Sequence, residues 1–142
     1  MTGESHLIVG ACAFSLAVVS VPEISGFTPI VTAGAATLLG SVLPDIDTPE
    51  SMIGRHVYIP IEHRTLTHAI WIPLILFGLA VLWWGSFSGF VAFGLSLGWF
   101  SHIAVDGLST GGVAYLWPMT DYIRYPSGAF CATHALEALS NR

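Results

Sequence analysis

An all-α, polytopic membrane helix bundle, with about four membrane helices and a short C-terminal surface helix, is the fold class this sequence predicts. Three observations carry the prediction. Hydrophobic residues make up 54% of the 142-residue chain and charged residues only 9%, where soluble domains carry roughly 25% charged residues. Mean hydropathy is +0.73. The apolar residues fall into four stretches parted by turns of Pro, Gly and Ser. So few charges cannot build a water-soluble surface, and the length suits a single domain over residues 1–142.

The elements follow in order. After a short polar start, an apolar helix is expected from His6 or Leu7 to Val21, closed by a turn at Pro22, Ser25 and Gly26. A second helix, rich in Ala and Gly, is expected from Phe27 to Leu43; Pro44 ends it because proline cannot continue the hydrogen-bond ladder. Residues 44–67 read as a polar loop. Thr67 is placed to cap a third helix from Ala69 to Trp84, with a kink or a late start imposed by Pro73. Gly85 and Ser86 turn the chain into a fourth helix from about Phe87 to Val105. The tail opens with Gly107, Gly111 and Gly112 and ends in the surface helix, around Ala129 to Leu139. A straight span needs about 20 residues, so the first three candidates are short. They either extend into their flanks or thin the bilayer.

Gly94 with Gly98, and Ala36 with Gly40, are small-residue pairs that let membrane helices approach closely. Trp83 and Trp84 fall where an interfacial belt would lie at the far end of the third helix. Net charge is −5 and there is no Lys, which argues against nucleic acid as a direct partner. Cys12 and Cys131 lie far apart and predict neither a disulfide nor a cysteine metal site. The apolar start lacks the basic residues of a signal peptide, so the first helix is expected to stay in the mature protein.

Four crossings bring the polar residues to one side. His6 precedes the first helix, Asp45 and Asp47 follow the second, His63 and His68 precede the third, and His102 and Asp106 end the fourth. Scattered structural histidines would have no reason to gather this way. Ionisable groups at a bilayer are costly and commonly functional. All four Arg residues belong to the same side, which the positive-inside rule makes cytoplasmic.

The spacing sets the chemistry expected of each residue. His102 and Asp106, four apart on a helix, share one face and can bind one ion. Of Asp45 and Asp47, one can ligate while the other bridges two ions or orients a histidine. His63 and His68 reach a shared point if His63 is in the loop and His68 in the first turn of the third helix. Arg64 beside them suits a phosphate or a carboxylate, or else a salt bridge to Glu62 or an aspartate. His56 reads as a surface residue, and His134 with Glu137 as an outer contributor. Imidazole with carboxylate favours Zn, with Mn or Fe as alternatives. Seven candidates exceed one tetrahedral ion and suit two ions about 3.5–4 Å apart.

Taken in order, Leu43-Pro44-Asp45-Ile46-Asp47, His63-Arg64-x-x-Thr67-His68 and Ser101-His102-x-x-x-Asp106 resemble the YdjM family of bacterial inner-membrane proteins. That family is described as metal-dependent hydrolases and sometimes labelled LexA-binding. The resemblance runs from His6 to the region of Glu137. It implies metal binding by His6, Asp45 or Asp47, His63, His68, His102 and Asp106, and an inner-membrane location. A more distant similarity, to the all-helical multi-histidine site of zinc phospholipase C and P1-type nucleases, implies phosphodiester hydrolysis.

The expectation is therefore a membrane-embedded hydrolase holding one or two divalent ions. It would act on a phosphoester of a lipid or lipid-linked compound arriving from the bilayer, with Asp47 and Arg64 catalytic. The competing expectations are a structural or regulatory metal site, to which the LexA-binding label points, and a metal-ion carrier. Carriers place their ligands near the midplane rather than at one face, which counts against the last.

Overall fold

In the computed structural model, residues 3–108 and 112–119 are described. Four helices follow one another: α1 (Gly3–Ser20), α2 (Phe27–Gly40), α3 (Trp71–Leu82) and α4 (Phe87–Gly107). Short 3-10 turns at Leu43–Asp47 and Leu66–His68 lie between α2 and α3. No strand pairing longer than an isolated bridge occurs among the described residues. The expected surface helix at 129–139, with His134 and Glu137, lies outside the described residues.

Three segments are long and apolar enough to cross a membrane: Gly3–Ser20, Phe27–Asp47 and Phe87–Gly107. The fourth, α3, has 12 residues, which at 1.5 Å per residue is about 18 Å, well short of the roughly 30 Å of a hydrocarbon core. The expected count of about four membrane helices thus becomes three long helices and one short apolar one. Pro73 explains the short helix. Its missing N–H is tolerated only in the first turn, so α3 begins late, at Trp71, with Ile70 as N-cap and no side-chain cap. Thr67 does not cap this helix; its hydroxyl is used elsewhere. The second helix is also shorter than expected. The ladder of α2 stops at Gly40, and the chain tightens into the 3-10 turn that carries Pro44, Asp45 and Asp47. Ser86 caps α4 by accepting from the Gly89 N–H at 3.1 Å.

The tightest packing is between α2 and α4, where small residues meet. A Cβ on Gly94 would strike the Ala33 carbonyl and Ala36, and one on Gly98 would strike the Thr37 carbonyl. A Cβ on Gly40 would meet the Leu95 backbone. With no hydrophobic driving force between helices in lipid, such backbone-to-backbone contact is what holds them. α3 is fastened to α4 by Ser96, whose hydroxyl donates to the Pro73 carbonyl at 2.8 Å. The segment at 112–119 folds back over the same end of the bundle. There the Ile70 N–H donates to the Tyr115 carbonyl at 2.9 Å, and the Ala114 N–H to the Arg64 carbonyl at 3.2 Å.

A candidate metal centre at one end of the bundle

The described chain ends of all four helices that carry His or Asp meet at one end of the bundle. His6 comes from the first turn of α1, Asp45 and Asp47 from the turn after α2, His68 from the turn before α3, and His102 and Asp106 from the last turns of α4. His6, Asp47, His68, His102 and Asp106 are buried to within a few per cent of complete. Asp45 is partly buried, and the His63 side chain is 39% exposed.

Asp45, His68, His102 and Asp106 turn one donor atom each toward a common point, all within 4.8 Å of one another. His102 Nε2 lies 3.2 Å from His68 Nε2, 3.4 Å from Asp45 Oδ1 and 3.9 Å from Asp106 Oδ2. His68 Nε2 lies 3.5 Å from Asp106 Oδ2 and 3.9 Å from Asp45 Oδ1. Donors about 2.0–2.2 Å from one tetrahedral ion sit roughly 3.3–3.6 Å apart, so these spacings suit a shared cation.

The far side of each ring fixes which nitrogen faces inward. His102 Nδ1 is 2.8 Å from the Ser41 carbonyl, which can only accept, so Nδ1 carries the proton and Nε2 a lone pair. The Thr67 hydroxyl donates to Asp47 Oδ2, leaving its oxygen to accept from His68 Nδ1 at 2.9 Å. His68 Nε2 is then a bare lone pair too. Burial pushes the His68 pKa below its ordinary value, which keeps the ring neutral. Two lone pairs facing each other at 3.2 Å between two carboxylates form a set that a cation satisfies, and the donor chemistry suits Zn, Mn or Fe.

Asp47, His63 and His68 form a second group with donor atoms in mutual reach. Here the atoms bond to each other. His63 Nδ1 is 2.7 Å from Asp47 Oδ1, and the Thr48 hydroxyl is 3.1 Å from the same oxygen and 2.9 Å from His63 Nδ1. Arg64 does not point out toward an incoming anion. Its Nη2 lies 3.5 Å from Asp106 Oδ2, and its Nη1 donates to the Gly112 carbonyl at 3.3 Å. Of the two roles the sequence left open for it, the ion pair with an aspartate is the one formed. Arg64 also adopts a left-handed backbone, φ 64°, which is uncommon outside glycine. His56 is exposed, as expected.

A cavity of about 350 Å³ opens beside the cluster, lined by Asp45, Asp106, His63, Glu50, Thr48 and Met52 among others. The two carboxylates of the four-donor set thus face open space while the two imidazoles are sealed in the bundle. Three contributors escaped the sequence reading. The Ser41 carbonyl gives no side-chain signal, and it is available because the last carbonyls of a helix have no partner within it. Thr48 and Thr67 each adjoin a candidate ligand in sequence, but nothing before folding shows that both hydroxyls converge on Asp47.

An apolar helix bundle closed at one end by buried carboxylates and imidazoles defines a membrane protein whose His/Asp cluster can hold a metal ion. Residues 1–139 match the family described as YdjM inner membrane protein, and the chain belongs to that family. The Inner membrane protein YdjM of Escherichia coli is 32% identical over 142 residues, covering 89% of this chain and 70% of that protein; the Shigella flexneri protein of the same name matches equally. The Uncharacterized protein YvsG of Bacillus subtilis is 29% identical over 151 residues, covering 99% of this chain and 90% of that protein. No solved structure matches. Together with the three long apolar helices, these relatives support a bacterial inner-membrane protein.

Proposed function

We propose that the protein is a membrane-embedded, metal-dependent hydrolase acting on a phosphoester of a lipid or lipid-linked substrate. The observation that carries the reading is the pair of bare imidazole nitrogens, His68 Nε2 and His102 Nε2, 3.2 Å apart between Asp45 and Asp106 beside an open cavity. Asp45, His68, His102 and Asp106 would hold a divalent ion, which would supply Lewis-acid chemistry and a lowered water pKa there. The chain's own residues do the rest. Ser41 and Thr67 hold the two imidazoles in their ligating tautomers. Arg64 steadies Asp106 through Nη2, 3.5 Å from Oδ2. Asp47 positions His63 at the cavity wall and, through Thr67, His68.

A lipid substrate is favoured by the segment tied next to the site, where the Ile59 N–H donates to the carbonyl of Ile46, between Asp45 and Asp47, at 3.1 Å. Residues 55–60, Arg-His-Val-Tyr-Ile-Pro, are exposed outside the helices, with Val57, Tyr58 and Ile59 among them. A cation followed by an aromatic and aliphatic run suits the headgroup boundary of a bilayer. Arg55 and Arg64 at this end favour the cytoplasmic leaflet.

The test is turnover by the detergent-purified, metal-loaded protein on lipid and soluble phosphomonoesters and phosphodiesters, wild type beside His102→Ala. Metal-dependent phosphate or headgroup release, lost in the variant, is expected. Folded protein with bound metal and no turnover on any of them sinks the hydrolase reading. That outcome leaves a structural metal site, a reading favoured by the complete burial of His68 and His102, since structural sites are closed to solvent.

A further inference from the structure

The four-donor set leaves His6 without a role. It is 1% exposed, and both ring nitrogens lack a hydrogen-bond partner among the described residues. An imidazole buried with neither its donor nor its acceptor used is costly, so a core histidine kept only for packing would be a poor choice here. Its ring lies on that of His102, centroids 3.8 Å apart and planes 19° from parallel. Its Nε2 is 3.4 Å from Asp106 Oδ1, without hydrogen-bond geometry. The other oxygen of the same carboxylate, Oδ2, faces His68 Nε2 at 3.5 Å and His102 Nε2 at 3.9 Å. The two oxygens of Asp106 therefore serve two different sets of imidazoles.

We propose that Asp106 bridges two divalent cations. Oδ2 shares the first with Asp45, His68 and His102; Oδ1 shares the second with His6. The inference rests on the reading of the first centre as a metal site and deepens it. The 3.4 Å between His6 Nε2 and Asp106 Oδ1 suits two donors on one ion, and a carboxylate bridge suits two ions about 3.5–4 Å apart. The cavity supplies the access. It reaches Asp106 and Asp45 and passes Gly3, which opens α1 ahead of His6 without a side chain. Water or a substrate oxygen entering there would complete the ligand set of the second ion. Asp45, Asp47, Asp106 and Glu50 stand against two dications and Arg64, which leaves one positive charge. That charge suits the oxyanion of the phosphoester in the proposed function.

The experiment uses the full chain in detergent, stripped with chelator, reloaded with Mn(II) and freed of excess metal by gel filtration. Elemental analysis gives ions per chain and electron paramagnetic resonance reports coupling between them. Two ions per chain with a spin-coupled signal are expected in the wild type. His6→Ala is expected to hold one ion with the six-line spectrum of isolated Mn(II), and His102→Ala to lose the coupling. One ion in wild type and His6→Ala alike overturns the second position and leaves the first centre standing. Two ions in both overturns the assignment to His6. No ion in wild-type protein that elutes as a single folded species overturns the first centre and this inference together. Should His6→Ala fail to fold, the wild-type spectrum alone decides, and an uncoupled six-line signal at saturation overturns the bridge.

Discussion

Two halves of one polar cluster, separated by a single histidine, are built on opposite principles. Around Asp47, the partners satisfy one another: His63 Nδ1 at 2.7 Å, the Thr48 hydroxyl at 3.1 Å and the Thr67 hydroxyl on the other oxygen. Around Asp106, three imidazole nitrogens stand 3.4–3.9 Å from the carboxylate beside the Arg64 guanidinium, and His68 Nε2 faces His102 Nε2 at 3.2 Å. His68 belongs to both, hydrogen-bonded through Nδ1 to the first half and turned by that bond to offer Nε2 to the second. In the first half the acceptor of each donor is another side chain of the cluster; in the second, the two facing imidazole nitrogens, both lone pairs, have no proton to share. The distinction separates residues of identical type, and the proposed function places the ion on the Asp106 side and the support on the Asp47 side.

The comparison breaks most visibly at the histidines. His68→Ala is expected to weaken ion binding by more than about 100-fold, beyond the 10–100-fold typical of an outer partner, whereas His63→Ala keeps the ion. Equal loss in the two, by metal content after gel filtration, would erase the difference between the halves. Next in size is the scaffold. Gly98→Val drives a side chain into the Thr37 carbonyl and is expected to lower stability by about 3 kcal/mol, the upper end for overpacking. It should also displace Ser41 from His102. Gly78→Ala on the open face of α3, where a Cβ meets nothing within 4 Å, is expected to be neutral or to gain up to about 1 kcal/mol. Thermal unfolding in detergent compares them.

Asp47→Asn tests support without ligation. It should leave the ion bound but with affinity reduced about 10–100-fold, and complete loss of the ion would move Asp47 into the other half. Thr67→Val removes only the hydroxyl between Asp47 and His68 and is expected to cost about 1 kcal/mol of stability, with a smaller loss of affinity than Asp47→Asn. The smallest effect is that of pH on the metal-free protein. Burial lowers the pKa of His68 below 6.5, so the unfolded chain binds the proton first. The His68 contribution is full above that value and is lost as pH falls through the lowered one. A His68→Gln variant should flatten that part of the stability profile.

Much of this was legible before folding. The charge count and the four apolar stretches gave a membrane bundle, because lipid tolerates neither charge nor unpaired backbone. The spacing of His102 and Asp106 placed both on one helical face, and the alternation of crossings gathered seven candidates at one end. Gly94 and Gly98 announced a close crossing without naming its partner; α2 supplied it through Ala33, Ala36, Thr37 and Gly40. Less legible were the ends of elements. Proline dictated that α3 start late, yet only the fold showed the chain spending Thr67 on Asp47 instead of on a cap.

What the sequence by itself determined is which residue types arrive at the site end, since periodicity and turn positions depend on neighbours a few residues apart. What only the tertiary structure decided is the role of each. Whether a carboxylate ligates or orients depends on tenths of an ångström set by groups far along the chain: the Ser41 carbonyl 61 residues before His102, Thr67 20 residues after Asp47, Gly112 48 residues after Arg64. Those distances are fixed by the α2–α4 crossing and by the return of residues 112–119, and no local pattern encodes them.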